Sequence, residues 1–416
     1  MLNSYQEAIE YIHALPKFHR TNKLDRIKSA LDKLGNPQND YPTLHITGTN
    51  GKGSVCNYLS NLLEASGERV GMFTSPFINI FNERIQISHQ MIGDSELLDL
   101  VNYIIDKIDE NTLSEFEFVT CMGFLYFKGR VDVAIIEVGI GATHDKTNVI
   151  DPDVSVITSI AMDHEQLIGP TIQDIAVEKS GIIKPNKPLV TGFLQESVRD
   201  IILNHAKDLN SQVYEYNHGI NINDFRIKDY KISFEFENVS VKITGIEKTT
   251  AINAAVAIQT FICYKKQHDQ NYDIKRVIKK IENKKLPARL QIVHKNPLII
   301  LDGAHNLAAI NNLINSLITN DHNKDIITVY AGMKDKNRHD ILDFLSANTK
   351  EVHVTSLNMP RAAKADDYDF SKYHNVTYVD DDIKCLNDLV DNLQDEQILL
   401  VTGSFYLVSE LESYFS

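Results

Sequence analysis

One short stretch combines the residue types that handle polyphosphates. Gly48-Thr-Asn-Gly-Lys-Gly-Ser54 follows the apolar run Leu44-His-Ile-Thr47 and precedes Val55, Leu59, Leu62 and Leu63, which fall on one helix face. Strand, glycine-rich loop and helix in that order suit a nucleotide triphosphate. The glycines Gly48, Gly51 and Gly53 let backbone N–H groups turn toward phosphate oxygens, and the helix amino terminus adds positive potential. Lys52 can reach the terminal phosphates, and the Ser54 hydroxyl can face a metal. Ile46 stands where the standard phosphate-loop pattern has its first glycine. As a bare string the match is therefore partial, and an ordinary glycine turn is the alternative reading. Magnesium prefers oxygen ligands and keeps several waters. Candidates for it, each after or at the end of an apolar run, are Ser75, Glu137 and His164. Taken singly, Glu137 also reads as a salt-bridged strand end and His164 as a structural histidine.

These residues need a scaffold. From Leu44 onward short apolar strands alternate with helical patterns, which predicts parallel βαβ units. Val131–Val138 is nearly continuous apolar and reads as a strand buried on both faces. Val154–Thr158 and Pro188–Val190 read as further strands. Ahead of them, apolar spacing predicts helices over 5–15 and 24–34, the second stopped by Gly35-Asn36-Pro37. Residues 225–243 alternate instead and predict a small antiparallel hairpin, followed by a helix over 251–264. A second strand–helix alternation runs through 298–301, 326–330, 352–354 and 398–401. We place a boundary in the polar connection Val293–Pro297. The expected fold is α/β: a phosphate-loop, parallel-sheet ATPase domain over 1–293, then a smaller Rossmann-like α/β domain over 298–416.

Composition narrows the partners. The 416 residues carry a formal charge of −14, against the basic face expected of a nucleic-acid binder. No uninterrupted apolar run approaches the roughly 18 residues of a membrane helix, and the first residues lack a secretory pattern. The four cysteines, Cys56, Cys121, Cys263 and Cys385, lie far apart in sequence. Neither a disulfide framework nor a metal-ligand spacing is expected, and the cytoplasm is the expected compartment.

The phosphate loop and a series of further segments resemble the folylpolyglutamate synthase/dihydrofolate synthase family, relatives of the peptidoglycan amino-acid ligases. The segments are Phe73-Thr-Ser-Pro76, Phe81-Asn-Glu-Arg-Ile85, Glu137-Val-Gly-Ile-Gly141, Ile157-Thr-Ser-Ile160 with Asp163-His164, Glu178-Lys-Ser-Gly-Ile-Ile-Lys-Pro185, Leu286-Pro-Ala-Arg-Leu290, Leu301-Asp-Gly-Ala-His-Asn306 and Thr402-Gly-Ser404. Their joint order spans nearly the whole chain. The resemblance implies an ATP- and magnesium-dependent ligase that phosphorylates a carboxylate and lets glutamate displace the phosphate. It implies catalytic roles for Lys52, Glu137, His164 and Lys179, with Ser75, Glu137 and His164 on the metal. It allows a carbamate on Lys179, which alone would read as a solvated helix lysine. Nucleotide contacts fall on Gly48 to Ser54 (Thr49 and Asn50 included), Asn253, Arg289 and Asp302. The last two also read as an interdomain ion pair or cap. Asp145, Glu117, His305 and Ser404 fall to the substrates, a pterin-bearing acid and glutamate.

Three departures concern the acid. Thr143 replaces the family's arginine, His144 a hydrophobic residue and Lys146 an alanine, while Asp145, Thr147 and Asn148 remain. Thr21-Asn-Lys23 stands at the family's glycine-containing helix entry, and Phe77 where many members have histidine. Two alternatives stay open: a ligase of the peptidoglycan type acting on another carboxylate, or an inactive nucleotide-binding relative.

Overall fold

A computed structural model describes all residues except 18–22, 109–112, 283–287, 322, 335, 360 and 416. Thr21 and Asn22 of the helix entry, and Leu286 and Pro287 of one matched segment, lie outside the described residues. The chain divides into two compact units. The first comprises 1–225, 233–242 and 249–282; the second comprises 226–232, 243–248 and 283–416.

In the first unit the described strands are β1 (Thr43–Thr47), β2 (Val70–Phe73), β3 (Ile85–Ile87), β4 (Gln90–Met91), β5 (Val133–Glu137), β6 (Val154–Ile157), β7 (Leu189–Thr191), β8 (Val213–Tyr216) and β9 (Gly219–Ile220). They form one sheet in the order β4-β3-β2-β5-β1-β6-β7-β8-β9. From β2 to β9 neighbouring strands are parallel, and β3 and β4 add an antiparallel edge. The helices are α1 (Tyr5–Ala14), α2 (Asp25–Lys33), α3 (Lys52–Ser66), α4 (Asp94–Lys107), α5 (Glu115–Phe127), α6 (Glu165–Ile168), α7 (Ile172–Ser180), α8 (Glu196–Asp208), α9 (Lys248–Gln267) and α10 (Ile274–Ile278). β1 and β5 are buried along their whole length, as a central parallel strand covered on both faces requires. Leu44 and Ile46 are fully buried, each side chain contributing about 2 kcal/mol by removal from water.

The alternating segment forms three strands rather than two: β10 (Asn223–Lys228), β11 (Lys231–Phe236) and β12 (Val239–Thr244), in that order. The additional strand is β10, whose charged residues conceal its period.

The second unit carries β13 (Gln291–Lys295), β14 (Leu298–Leu301), β15 (Asp325–Tyr330), β16 (Glu351–Val354), β17 (Val376–Tyr378) and β18 (Gln397–Thr402), in the sheet order β13-β14-β18-β15-β16-β17. All neighbours are parallel except β13 and β14. Its helices are α11 (Leu307–Asn320), α12 (Arg338–Asn348), α13 (Asp382–Asn392) and α14 (Phe405–Glu412). The segment 293–297, read from sequence as a connection, is strand and turn in this sheet. β13 pairs with β14 through an irregularity between Ile292 and His294, which breaks the alternation that would have revealed it.

The parallel α/β fold anticipated from the strand–helix alternation is the fold observed. Among the described residues no helix is long and apolar enough to cross a membrane.

Candidate active site

The phosphate loop leaves the end of β1 and enters α3, where Gly51 occupies the N-cap position at φ 88°. A Cβ on Gly48 would lie 1.9 Å from Thr158 Oγ1, and one on Gly51 2.6 Å from Asn253 Oδ1. Both positions therefore need glycine for space as well as for their backbone angles. The loop is bolted to the segment after β6. Thr158 Oγ1 and Ser159 Oγ donate to the Asn50 carbonyl at 2.6 and 2.9 Å, and Asn50 N–H donates to Ser159 Oγ at 2.9 Å. Thr49 N–H donates to the Ser159 carbonyl at 2.9 Å, and Thr49 Oγ1 donates to the Ala161 carbonyl at 3.0 Å. Lys52 Nζ folds back to the Gly48 carbonyl at 2.9 Å. Gly53 and Ser54 belong to the first turn of α3, and Ser54 is buried. Asn253, on α9, packs against this loop at Gly51.

The candidate metal ligands follow or end the strands β2, β5 and β6. Glu137 ends β5, is buried, and accepts a hydrogen bond from Ser75 N–H at 3.2 Å. The thiol of Cys56, in the first turns of α3, is pushed up by burial and next by the Glu137 carboxylate, with Lys52 acting the other way. Glu137 and Lys52 thus act on the same helix start. His164 caps α6 at φ 53°, its N–H donating to Asp163 Oδ1 at 2.9 Å and its Nε2 lying 3.7 Å from Asp163 Oδ2. Among the described residues no group of three or more His, Cys, Asp and Glu side chains is gathered around one point.

Lys179 is buried in α7. Burial pushes its ammonium down to about 7; the Lys52 cation adds to this, and Asp163, Glu178 and Asp145 oppose it. These five charges share one neighbourhood, so the structure brings Lys52, Lys179 and Asp145 together.

The 139–148 loop after β5 carries the departures from the family pattern. Glu178 holds it: Oε1 accepts from His144 N–H at 3.0 Å and Ala142 N–H at 3.4 Å, and Oε2 faces His144 Nδ1 at 2.9 Å. In the sequence Glu178 stands inside a matched motif with no sign of this role, because partners 34 residues away leave no local signal. Asp145 is buried, and its hydrogen bonds come from its own loop. Ile140 N–H and Thr147 N–H donate at 3.0 Å each, and the Thr147 hydroxyl donates at 2.5 Å. Burial raises the Asp145 carboxyl above its ordinary range, against these donors. Lys146 Nζ reaches Glu117 Oε1 at 3.8 Å, and Arg26 Nε lies 3.9 Å from the same oxygen. Glu117, buried, uses its other oxygen to accept from Ser114 N–H and Oγ at 2.8 Å, capping α5.

In the second unit, two candidates flank Phe405. The Arg289 guanidinium sits 4.6 Å from that ring, and the His305 ring 5.6 Å from it. His305 Nδ1 lies 2.9 Å from the Gly303 carbonyl. Asp302 accepts from Leu290 N–H at 2.7 Å and Ala304 N–H at 2.8 Å. Burial raises its carboxyl, with Arg289 opposing. Ser404 Oγ accepts from Tyr406 N–H at 3.0 Å.

Comparison with known proteins places this geometry. Residues 46–261 match the Mur ligase middle domain, and 288–405 match the Mur ligase glutamate ligase domain. The chain is 37% identical to the folylpolyglutamate synthase of Lacticaseibacillus casei, covering 98% of this chain and 97% of that one. It is 32% identical to the dihydrofolate synthase/folylpolyglutamate synthase of Bacillus subtilis, covering 99% of each. A solved FPGS-AMPPCP-folate complex superposes with a TM-score of 0.87 at 32% identity, covering 99% of each chain. With the phosphate loop, the strand-end carboxylate and the buried lysine in the order and setting described, the chain belongs to the folylpolyglutamate and dihydrofolate synthases, a Mur-ligase-related family of ATP-dependent amide ligases.

Proposed function

We propose that this enzyme joins glutamate to the carboxylate of a pterin-bearing acid (dihydropteroate, a reduced folate or both) through an acyl phosphate made with ATP. The carrying observation is the built phosphate cradle of Gly48 to Ser54, inside a chain that matches these ligases over nearly its full length. An AMPPCP- and folate-bound relative of the same fold supports the choice of substrates.

The acid and the triphosphate are both anions, so the first step needs positive charge between them. Lys52 moves from the Gly48 carbonyl to the terminal phosphates and supplies part of it. Magnesium, held by Ser75, Glu137 and His164, would supply the rest as a Lewis acid. The donor set fits it: a buried carboxylate, Glu137, beside Ser75, with His164 following the next strand. Lys179, with its ammonium weakened by burial, holds a neutral amine fraction near pH 7 and can take up carbon dioxide. As a carbamate it becomes an anion beside Lys52. Asn253, Arg289 and Asp302 hold the nucleotide, with the Arg289 cation on phosphate and Asp302 accepting from ribose hydroxyls. His305 and Ser404 hold the incoming glutamate, Glu117 and the Asp145 loop the acid. Residues 1–293 thus carry the ATP chemistry and 298–416 part of the amino-acid site, in a cytoplasmic enzyme.

The test is phosphate release with ATP, magnesium and glutamate, with and without dihydropteroate or tetrahydrofolate. Release that depends on one of these acids, with the amide product formed alongside, is the expected result. Release indifferent to both acids would defeat the substrate reading.

A further inference from the structure

β1 is buried from end to end, yet every second residue is polar: Thr43, His45 and Thr47. Side chains alternate along a strand, so these three share one face, and Leu44 and Ile46 share the other. The polar face is turned to the 139–148 loop. Thr47 Oγ1 donates to the Gly141 carbonyl at 2.6 Å, and His45 Nε2 lies 2.8 Å from Thr147 Oγ1. The Thr147 hydroxyl has one proton, and it points at Asp145 Oδ1, 2.5 Å away. Oγ1 therefore accepts from the imidazole, which fixes the hydrogen on Nε2. Burial keeps the ring neutral, with Lys184 acting in the same direction.

This tautomer leaves His45 Nδ1 as a bare lone pair, buried and without a hydrogen-bond partner among the described residues. Such an atom costs stability, and an apolar side chain in its place would cost none. A central strand that retains it is serving something other than stability.

We propose that His45 is a positioning residue for the acid substrate. By donating to Thr147 it fixes the hydroxyl-to-Asp145 bond that shapes the 139–148 loop. Because β1 runs directly into the phosphate loop, the same strand sets that loop in register with the nucleotide. The role rests on the reading above that the 139–148 loop carries the acid.

The experiment uses the full chain with His45→Leu, His45→Gln and Thr147→Val, assayed with whichever pterin acid the unaltered enzyme turns over. His45→Leu should melt at the same temperature or higher. Its KM for the acid should rise about tenfold while its KM for ATP stays within about twofold, the loss of one oriented hydrogen bond. Phosphate released per amide formed should rise, because a misregistered carboxylate is phosphorylated less often than water attacks. His45→Gln, whose amide N–H can reach Thr147, should recover most of the KM. A lowered melting temperature with both KM values raised alike, and no rescue by Gln, would make the role structural and overturn the proposal. If His45→Leu does not fold, Thr147→Val must show the same KM split, and loss of fold in both variants would also overturn it. Failure of the substrate reading shows separately, as an unaltered enzyme that ligates neither acid.

Discussion

The phosphate loop and the 139–148 loop leave adjacent strands, β1 and β5, and are fastened by different means. Apart from Lys52, the phosphate loop is held by hydroxyls and backbone groups, chiefly those of Thr158, Ser159 and Ala161. The 139–148 loop adds carboxylates to its neutral bonds: Glu178 on Ala142 and His144, Asp145 within the loop, Glu117 opposite Lys146. Neutral hydrogen bonds change little with pH or ionic strength, and ionic ones change with both. The nucleotide end is thus built to stay constant. The acid end can be retuned by substituting one charged residue, and Thr143, His144 and Lys146 stand there.

The largest effect should come from removing the one cation of the neutral loop. Lys52→Ala is expected to lower kcat by about 100-fold or more, the scale of a lost transition-state charge contact, without changing the thermal melt. A folded variant retaining a tenth or more of the rate would break the assignment.

A second measurement concerns the buried lysine between the loops. Lys179 titrates at about 7 in the fold against an ordinary value of 10.5. Between those values the unfolded chain holds a proton that the folded chain has released, so stability rises with pH across that window. Lys179→Met has no such group. It should be more stable than the unaltered enzyme below pH about 7, with the gap closing toward pH about 10, in bicarbonate-free buffer. A gap that does not vary with pH would show that the ammonium is not desolvated.

The smallest effect should come from the tunable loop. Thr143→Arg with Lys146→Ala restores the family's residue types. It should shift the ratio of kcat/KM for dihydropteroate and tetrahydrofolate by about three- to tenfold, the scale of one charged contact. An unchanged ratio would mean the Thr143 and Lys146 departures are neutral, and the contrast between the loops would lose its functional meaning.

What the sequence disclosed divides along the same line. Central strands such as β5 and β14 and the loop into α3 were readable because their signals are local: unbroken apolar runs and glycines at fixed offsets. The third strand β10 and the strand β13 were missed because charge and an irregular register disguised their period. The side-chain fastenings between distant segments were not readable at all. His45 and Thr147 lie 102 residues apart in sequence, and Glu178 and His144 lie 34 apart, so only the fold introduces them. Glu117 and Asp145 were read as substrate groups by resemblance. The structure adds that each spends oxygens on its own segment, capping α5 or shaping its loop.

The alternation of β1 has a consequence for motion. His45 and Gly48 are joined by three covalent steps of an extended strand, about 10 Å. The distance from the His45 anchor of the acid-side loop to the phosphate loop is therefore inherited from bond lengths. Pulling the phosphate loop away requires breaking into a strand paired on both edges, with β5 and with β6. In the language of hydrogen exchange, β1 should be a slow-opening beam, and the 139–148 loop, tied to it through His45 and Thr47, should borrow part of its protection.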